Sequence, residues 1–438
     1  MVARHPVSQN MKYIVDLHIH SRYSRATSSD LTPENLWLWG QRKGLQVIGV
    51  GDCIHPKWLD EISEKLEPAE SGFFRLKEAF TKEPSQQLAS SCRGEVRFLL
   101  STEISCIYKK GDKVRKVHNV VIFSSLEAAR AFQKRLGGIG NISSDGRPIL
   151  GLDAKDLLSI ALECDPKTLF IPAHIWTPWF SALGSKSGFD SIEECYEGLT
   201  KHIFAVETGL SSDPVMNWRL KSLDSFVLVS NSDAHSASKL AREANIFDCD
   251  FSYDGMYHAL SDKSDKGFRA TIEFFPEEGK YHFDGHAACK QRLHPRETRK
   301  NKGLCPVCGK PVTVGVMARV EDLAQRPEGE KAPRARPFFS LIPLEEVIAE
   351  ARGVGKASKK VREAYFDLLN KLGPELRILL DVPLREIQSA GGDLIAEGVR
   401  RMREGQVSIQ AGYDGEYGII KIFGETERKE IEGQLTFL

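Results

Sequence analysis

Apolar residues in the first two-thirds of the chain fall in short unbroken runs rather than long amphipathic stretches, at 13–15, 47–50, 98–100, 120–123, 169–171 and 226–229. Runs of this length, bounded by Gly, Pro, Asp and Ser, are how strands buried on both faces read in a sequence. Each run lies beside a residue that can bind a metal or move a proton. His18 and His20 follow the first, Asp52 and His55 the second, Glu103 the third, and His174 the fifth. Asp233 and His235, in Ser232-Asp233-Ala234-His235, follow the sixth, while His118 precedes the fourth. The pattern predicts a β/α barrel whose site lies at the carboxyl ends of its strands.

After about residue 275 the pattern changes. A strand-like stretch at 270–275 gives way to Pro276-Glu277-Glu278-Gly279, and residues 280–326 are basic and cysteine-bearing. A mixed-charge linker with Pro327, Pro333 and Pro337 follows. Apolar residues spaced by three and four at 344–351, 359–372 and 396–403 then predict helices. Residues 407–409 and 419–423 flank an Asp-Gly pair at 414–415, the signature of a β-hairpin. The expected division is a barrel at 11–275, a small module at 280–326, a helical domain with a hairpin at 338–425, and a tail at 426–438.

Composition narrows the class. Length alone predicts about three domains. With 41% hydrophobic residues and no long apolar run, the 438-residue chain reads as a soluble globular protein and, with no membrane signal, as a cytoplasmic monomer. Sixty basic and sixty acidic residues cancel, so any case for nucleic-acid binding rests on local clusters. The first ten residues lack the charged start and apolar core of a secretory signal. Nine cysteines, six of them scattered through the barrel without disulfide-like spacing, suit a reducing compartment.

Imidazoles and carboxylates delivered from successive strand ends into one mouth are what a multinuclear hydrolytic metal centre requires. A single histidine at a strand end is more often a hydrogen-bonded structural residue. The case here rests on the series His18, His20, Glu103, His118, His174, Asp233 and His235.

The later module holds a second metal signature. Cys305 and Cys308 bracket a tight turn with Gly309 behind them, and His286 and Cys289 lie upstream. The spacing His286-x2-Cys289-x15-Cys305-x2-Cys308 predicts one structural zinc. A redox Cys-x-x-Cys would open a helix after a strand, whereas Pro306 and Pro311 point to a turn. Lys290, Arg292, Arg296, Arg299, Lys300, Lys302, Lys310 and Arg319 surround the module, with Glu297 the only acid between 290 and 319. Such a cluster reads as a phosphate-backbone surface.

The barrel residues resemble the polymerase and histidinol phosphatase (PHP) superfamily. That resemblance implies a distorted (β/α)7 barrel holding two or three divalent ions (Zn, Mn or Mg). It places His18, His20, Glu103 and Asp233 around the first ion, has Glu103 bridge to a second held by His118 and His174, and gives His235 to a third. The sequence departs from the superfamily pattern at Asp52-Cys53-Ile54-His55, so Asp52 and His55, or the Cys53 thiolate, are left to complete that third site.

Several stretches are similar to one family in particular, endonuclease Q, a DNA-repair nuclease family of archaea and some bacteria. They are 16–24 (DLHIHSRYS), 51–58 (GDCIHPKW), 207–214 (ETGLSSDP), 284–286 with the cysteine module, and 411–415 (AGYDG). The resemblance implies a metal-dependent endonuclease that cuts damaged DNA on the 5′ side of hypoxanthine, uracil, xanthine and abasic sites. The alternative that the metal ligands leave open is a PHP-type phosphatase acting on a small phosphomonoester.

Two further expectations concern contacts. Trp176, Trp179 and Phe180 follow His174 at the barrel mouth and, with Tyr23, are candidates to stack on a flipped base, the alternative being that Trp176 and Phe180 cap the core. Gln434-Leu435-Thr436-Phe437-Leu438 resembles the start of a sliding-clamp motif but ends before its aromatic pair.

Overall fold

The structure, a computed structural model, describes residues 11–262, 266–424 and 427–428. The strands that carry the site are β1 (Met11–Asp16), β2 (Val47–Gly49), β3 (Arg97–Lys110), β4 (Lys113–Phe123), β5 (Leu169–Pro172), β6 (Ala205–Glu207) and β7 (Val227–Val229). β1, β2 and β3 pair in parallel, as do β6 and β7. Ile175 N–H bonds to the Glu207 carbonyl (3.1 Å), which ties the end of β5 to β6. The circuit closes where Ile19 bridges Ala234 and the His20 N–H reaches the Ala234 carbonyl at 3.0 Å.

One strand breaks the parallel order. Gly111, at φ 61°, reverses the chain so that β4 runs antiparallel to both β3 and β5. A strand entering from the mouth meets the site partway along its length, which is why His118 lies inside β4; Glu103 lies inside the long β3 that it pairs with, while His18, His20, His174 and Asp233 follow strand ends.

Val15, Leu17, Val47, Leu99, Val120, Ile122, Ile171, Ala205 and Val229 are buried together in the barrel. Full burial of such side chains contributes about 1.5–3 kcal/mol each. The strand Ala244–Cys249 adds antiparallel to β1, Phe268–Glu273 adds to it, and Phe338–Ser340 then pairs in parallel with Phe268–Glu273. The chain therefore returns to the barrel's sheet at 338, where the sequence pattern starts a separate helical domain. The preceding linker is also tied down: Arg326 Nη1 donates to the Trp218 carbonyl (2.6 Å), and Arg219 Nε to the Arg326 carbonyl (3.1 Å).

The C-terminal helices are Leu344–Arg352, Lys359–Leu372, Glu375–Leu380, Leu384–Gly391 and Asp393–Arg403. Their apolar faces join the outer core of the barrel through Val347, Tyr365, Leu368, Ile378 and Val399. A buried ion pair crosses the junction, with Lys43 Nζ 2.6 Å from Glu375 Oε2. Glu375 also accepts from the Tyr365 hydroxyl (2.7 Å) and the Leu344 N–H (3.1 Å), so neither charge is left unsatisfied.

The hairpin pairs Ser408–Gln410 with Ile419–Lys421, and Asp414 and Gly415 both take positive φ in its turn region. The Asp414 carboxylate accepts from Ala287 N (2.6 Å) and Thr313 Oγ1 (2.5 Å), locking the hairpin tip onto the cysteine module. The tail at 426–438 falls outside the described residues apart from 427 and 428, and the clamp-like Gln434–Leu438 lies wholly outside them. Among the described residues no helix is long and apolar enough to cross a membrane.

Candidate metal centre

At the carboxyl mouth, Glu103 stands between two sets of ligands. Its Oε2 faces His20 Nε2 (3.4 Å) and His18 Nε2 (3.6 Å), while its Oε1 faces His118 Nδ1 (2.6 Å) and His174 Nε2 (3.2 Å). Asp233 Oδ1 completes the first set, 3.0 Å from His20 Nε2 and 3.8 Å from His18 Nε2. The ligand atoms of His18, His20 and Asp233 lie within 4.8 Å of one another, as do those of Glu103, His118 and His174. His18 Nε2 is buried with no hydrogen-bond partner, though it faces two carboxylates. A buried nitrogen aimed at convergent oxygens beyond hydrogen-bond range suits a divalent cation between them.

Charge follows the same logic. Burial would raise the Glu103 carboxyl, but His118, His18 and Arg147 outweigh it and hold it well below the usual carboxylate range. Burial pushes His118 down to about 4 despite Glu103.

A second layer fixes these ligands, and here the structure adds residues that spacing alone did not single out. Glu207, at the end of β6, brings both oxygens to 3.0 Å of His18 Nδ1 and accepts from the His174 N–H (2.8 Å) and Asn231 Nδ2 (2.9 Å). It therefore sets the His18 ring so that Nε2 faces the centre. Asp16 accepts from the Ser232 N–H (3.1 Å) and Ala241 N–H (3.0 Å), pinning the loop that carries Asp233. Three residues of the site take positive φ: Asp52 (49°), His174 (30°) and Asp233 (47°). Side-chain-bearing residues rarely adopt it, and such strain concentrates where surrounding contacts force a functional geometry. Gly209 makes room for it, since a Cβ there would lie 2.4 Å from His174 Cβ.

The residues expected to complete a third site have other partners in the structure. Asp52 is fully buried and committed elsewhere: Oδ1 lies 3.2 Å from His20 Nδ1, and Oδ2 accepts from Ser21 N, Ser21 Oγ and Ser24 Oγ at 2.6–2.8 Å. It orients His20 from behind. His55 stacks on Tyr23 (centroids 4.4 Å apart) with Nε2 at 3.1 Å from the Ser143 carbonyl. The Cys53 thiol is packed in the apolar core, and burial raises it well above the ordinary thiol range. His235 sits half-exposed beside His20 (ring centroids 4.6 Å apart), its Nδ1 2.8 Å from the Asp233 carbonyl. Arg147, another residue outside the sequence-based set, puts Nη1 at 3.1 Å from Glu103 Oε2.

The aromatic loop divides. Trp176 is 1% exposed and its indole N–H donates to Asn217 Oδ1 (2.8 Å), so it is a core residue and has no face for a base. Trp179 is 50% exposed, with Lys116 Nζ 4.8 Å from its ring centroid. Phe180 packs on His118 (centroids 4.8 Å) and is partly covered.

The cysteine module closes as its spacing predicts. One ligand atom each from His286, Cys289, Cys305 and Cys308 lies within 4.8 Å of the others, and the Gly309 N–H turns back to the Cys305 carbonyl (2.9 Å). The basic cluster around it is less uniform. Folding brings Glu328 to Arg296 (3.0 Å) and Asp322 to Arg299 (2.9 Å), and ties Arg319 to Asp190 (2.7 Å). Arg292 lies over the Tyr413 ring (5.2 Å), while Lys290, Lys300, Lys302 and Lys310 stay exposed.

Residues 343–406 match the family model described as the MJ0043 C-terminal domain. Uncharacterized protein MJ0043 of Methanocaldococcus jannaschii is 33% identical over 256 residues, 56% of this chain, which spans 31% of that relative's length. Uncharacterized protein YqxK of Bacillus subtilis is 28% identical, covering 94% of this chain and 99% of YqxK. The crystal structure of the lesion-specific endonuclease PfuEndoQ from Pyrococcus furiosus is 30% identical with a TM-score of 0.82, over 97% of this chain and 99% of that one. Endonuclease Q solved with a 27-mer duplex carrying an abasic lesion at its active site is 31% identical with a TM-score of 0.80, over 95% and 98%. With near-complete coverage in both directions, and with the residues of the metal centre and cysteine module gathered as described, this chain belongs to the endonuclease Q family.

Proposed function

We propose that the protein is a metal-dependent DNA-repair endonuclease that hydrolyses the phosphodiester on the 5′ side of hypoxanthine, uracil, xanthine and abasic sites. The observation that carries this reading is Glu103 standing between two histidine sets with one oxygen toward each, in a chain similar along its length to an endonuclease solved on an abasic duplex. The donor set favours two divalent ions, Zn, Mn or Mg. His18, His20 and Asp233 would hold one, His118 and His174 the other, with Glu103 between them. Ions so bound would activate water and neutralise charge on the phosphate.

The chain's own residues do the rest. Glu207 and Asp52 hold His18 and His20 in the ligating orientation. His235 donates its Nδ1–H to the Asp233 carbonyl, so Nε2 is the atom that would first take up a proton and then pass it to the leaving oxygen. Exposed Trp179 is the aromatic placed to stack on a base beside the centre, and Lys290, Lys300, Lys302 and Lys310 are the cations for the phosphate backbone. One zinc in the cysteine module, a monomeric state and a clamp contact through Gln434–Leu438 belong to the same proposal.

The test uses end-labelled duplexes carrying one hypoxanthine, uracil, abasic or normal site, with product ends mapped. Incision 5′ to the lesions only, abolished in Asp233→Ala, is the expected result. Turnover of a chromogenic phosphomonoester without nicking would move the protein to the phosphatase class.

A further inference from the structure

The loop 138–148 carries a cation to the metal centre and fixes it there. Asp145 Oδ1 accepts from the N–H groups of Arg25 and Arg147 (both 3.2 Å), and Gly146 N–H donates to the Tyr23 carbonyl (2.9 Å). A Cβ on Gly146 would fall 2.3 Å from Asp52 Oδ2 and 2.5 Å from Ser24 Oγ, so the loop lies directly on the layer that orients His20. Just beyond, the Pro148 carbonyl accepts from Ser105 N–H at 3.0 Å. Arg147 is thus held on both sides in sequence, with its side chain 27% exposed at the mouth. One of its donors, Nη1, meets Glu103 Oε2 at 3.1 Å, and its remaining guanidinium N–H groups have no hydrogen-bond partner among the described residues.

With divalent cations bound at the centre, a permanent cation beside them would be repelled, because like charges in a sheltered site repel strongly. The placement becomes favourable when an anion joins, and a planar fork of donors matches phosphate oxygens. We propose that Arg147 binds the scissile phosphate, donating its free N–H groups to a non-bridging oxygen and stabilising the charge that grows there during hydrolysis. In the absence of that anion it rests on Glu103. The inference deepens the phosphoesterase reading and rests on it, and it assigns to phosphate recognition a residue outside the ligand set.

The test compares wild-type protein with Arg147→Met and Arg147→Lys, each loaded with Mn²⁺. Binding of inorganic phosphate is measured by calorimetry, and metal per chain by elemental analysis. Arg147→Met is expected to bind phosphate at least about tenfold more weakly with metal content unchanged, and Arg147→Lys to fall between, since an ammonium keeps the charge but loses the fork. Phosphate affinity in Arg147→Met within about twofold of wild type would overturn the inference. Loss of metal from both variants would also overturn it, by assigning Arg147 to the support of Glu103. Nicking of lesion duplexes is run in parallel on the wild type. If phosphate binding depends on Arg147 while no duplex is cut, the inference stands and the endonuclease reading fails.

Discussion

At the scale of single residues, the centre depends on groups that never face the substrate. Glu207 fixes His18 through two 3.0 Å contacts and also holds the backbone of His174, so it acts on both ligand sets at once. Glu207→Gln is expected to weaken metal binding about 10–100-fold, measured by competition with a chelator, and added metal should restore nicking. Unchanged metal affinity would remove Glu207 from the support of the centre. The two tryptophans should separate cleanly. Trp176→Ala empties a buried site and is expected to cost about 3–5 kcal/mol of stability in denaturant unfolding, whereas Trp179→Ala should leave stability nearly unchanged. Trp179→Ala should instead lower incision at deaminated bases more than at abasic sites, where no base is present to stack. Equal loss on both substrates would exclude base stacking by Trp179. The ligand types were legible in the sequence because they follow apolar runs. Glu207 was visible only as part of a family-like stretch, although the apolar run at 203–206 precedes it as other runs precede the ligands. The burial of Trp176 depends on Asn217, forty-one positions away, which no local pattern reports.

At the scale of elements, the cysteine module is a knuckle whose own apolar cluster is Leu293, Val312 and Cys305, too small a core to fold on its own. The hairpin supports it through two hydrogen bonds to Asp414, Val316 and Val320 pack into the main core, and a zinc bound as proposed would add to both. The double variant Cys305→Ser/Cys308→Ser is expected to lose one zinc per chain by elemental analysis and to become protease-sensitive across 280–326 while the barrel stays intact. A zinc count equal to wild type would rule out a metal at this knuckle. This element was readable from ligand spacing and from the Asp-Gly turn, both local signals. The helices Glu375–Leu380 and Leu384–Gly391 were not, because short apolar runs carry too few turns to show a helical period. The strand Phe338–Ser340 was missed for a different reason: it exists by pairing with Phe268–Glu273, a contact set by tertiary structure.

At the scale of the whole molecule, zero net charge places DNA affinity in local clusters, and folding decides which cations remain available. Arg296, Arg299 and Arg319 are paired with acids, so Lys290, Lys300, Lys302 and Lys310 should carry most of the counterion release. Binding to duplex DNA is expected to weaken steeply with salt, and each of these lysines that meets a phosphate should lower the log–log slope by about one when replaced by Gln. Slopes that fall with Arg299→Gln but not with the lysines would reverse that assignment. Global stability should carry its own pH signature from beneath the barrel mouth. Glu273 is buried, accepts from Thr208 Oγ1 (3.0 Å), has one oxygen without a partner, and burial pushes it up to about 8. Glu243 is buried nearby and is raised by burial and by Glu273. The folded state thus holds a proton that an unfolded glutamate releases near its ordinary value of about 4.5. The stabilisation is complete below that value and is lost as pH rises through about 8. The thermal midpoint of the metal-free protein should therefore fall between about pH 5 and about pH 8 and level off above. Glu273→Gln keeps the shape and cannot ionise, so it should flatten that fall, and a decline as steep as in wild type would show that Glu273 is already ionised in the folded protein.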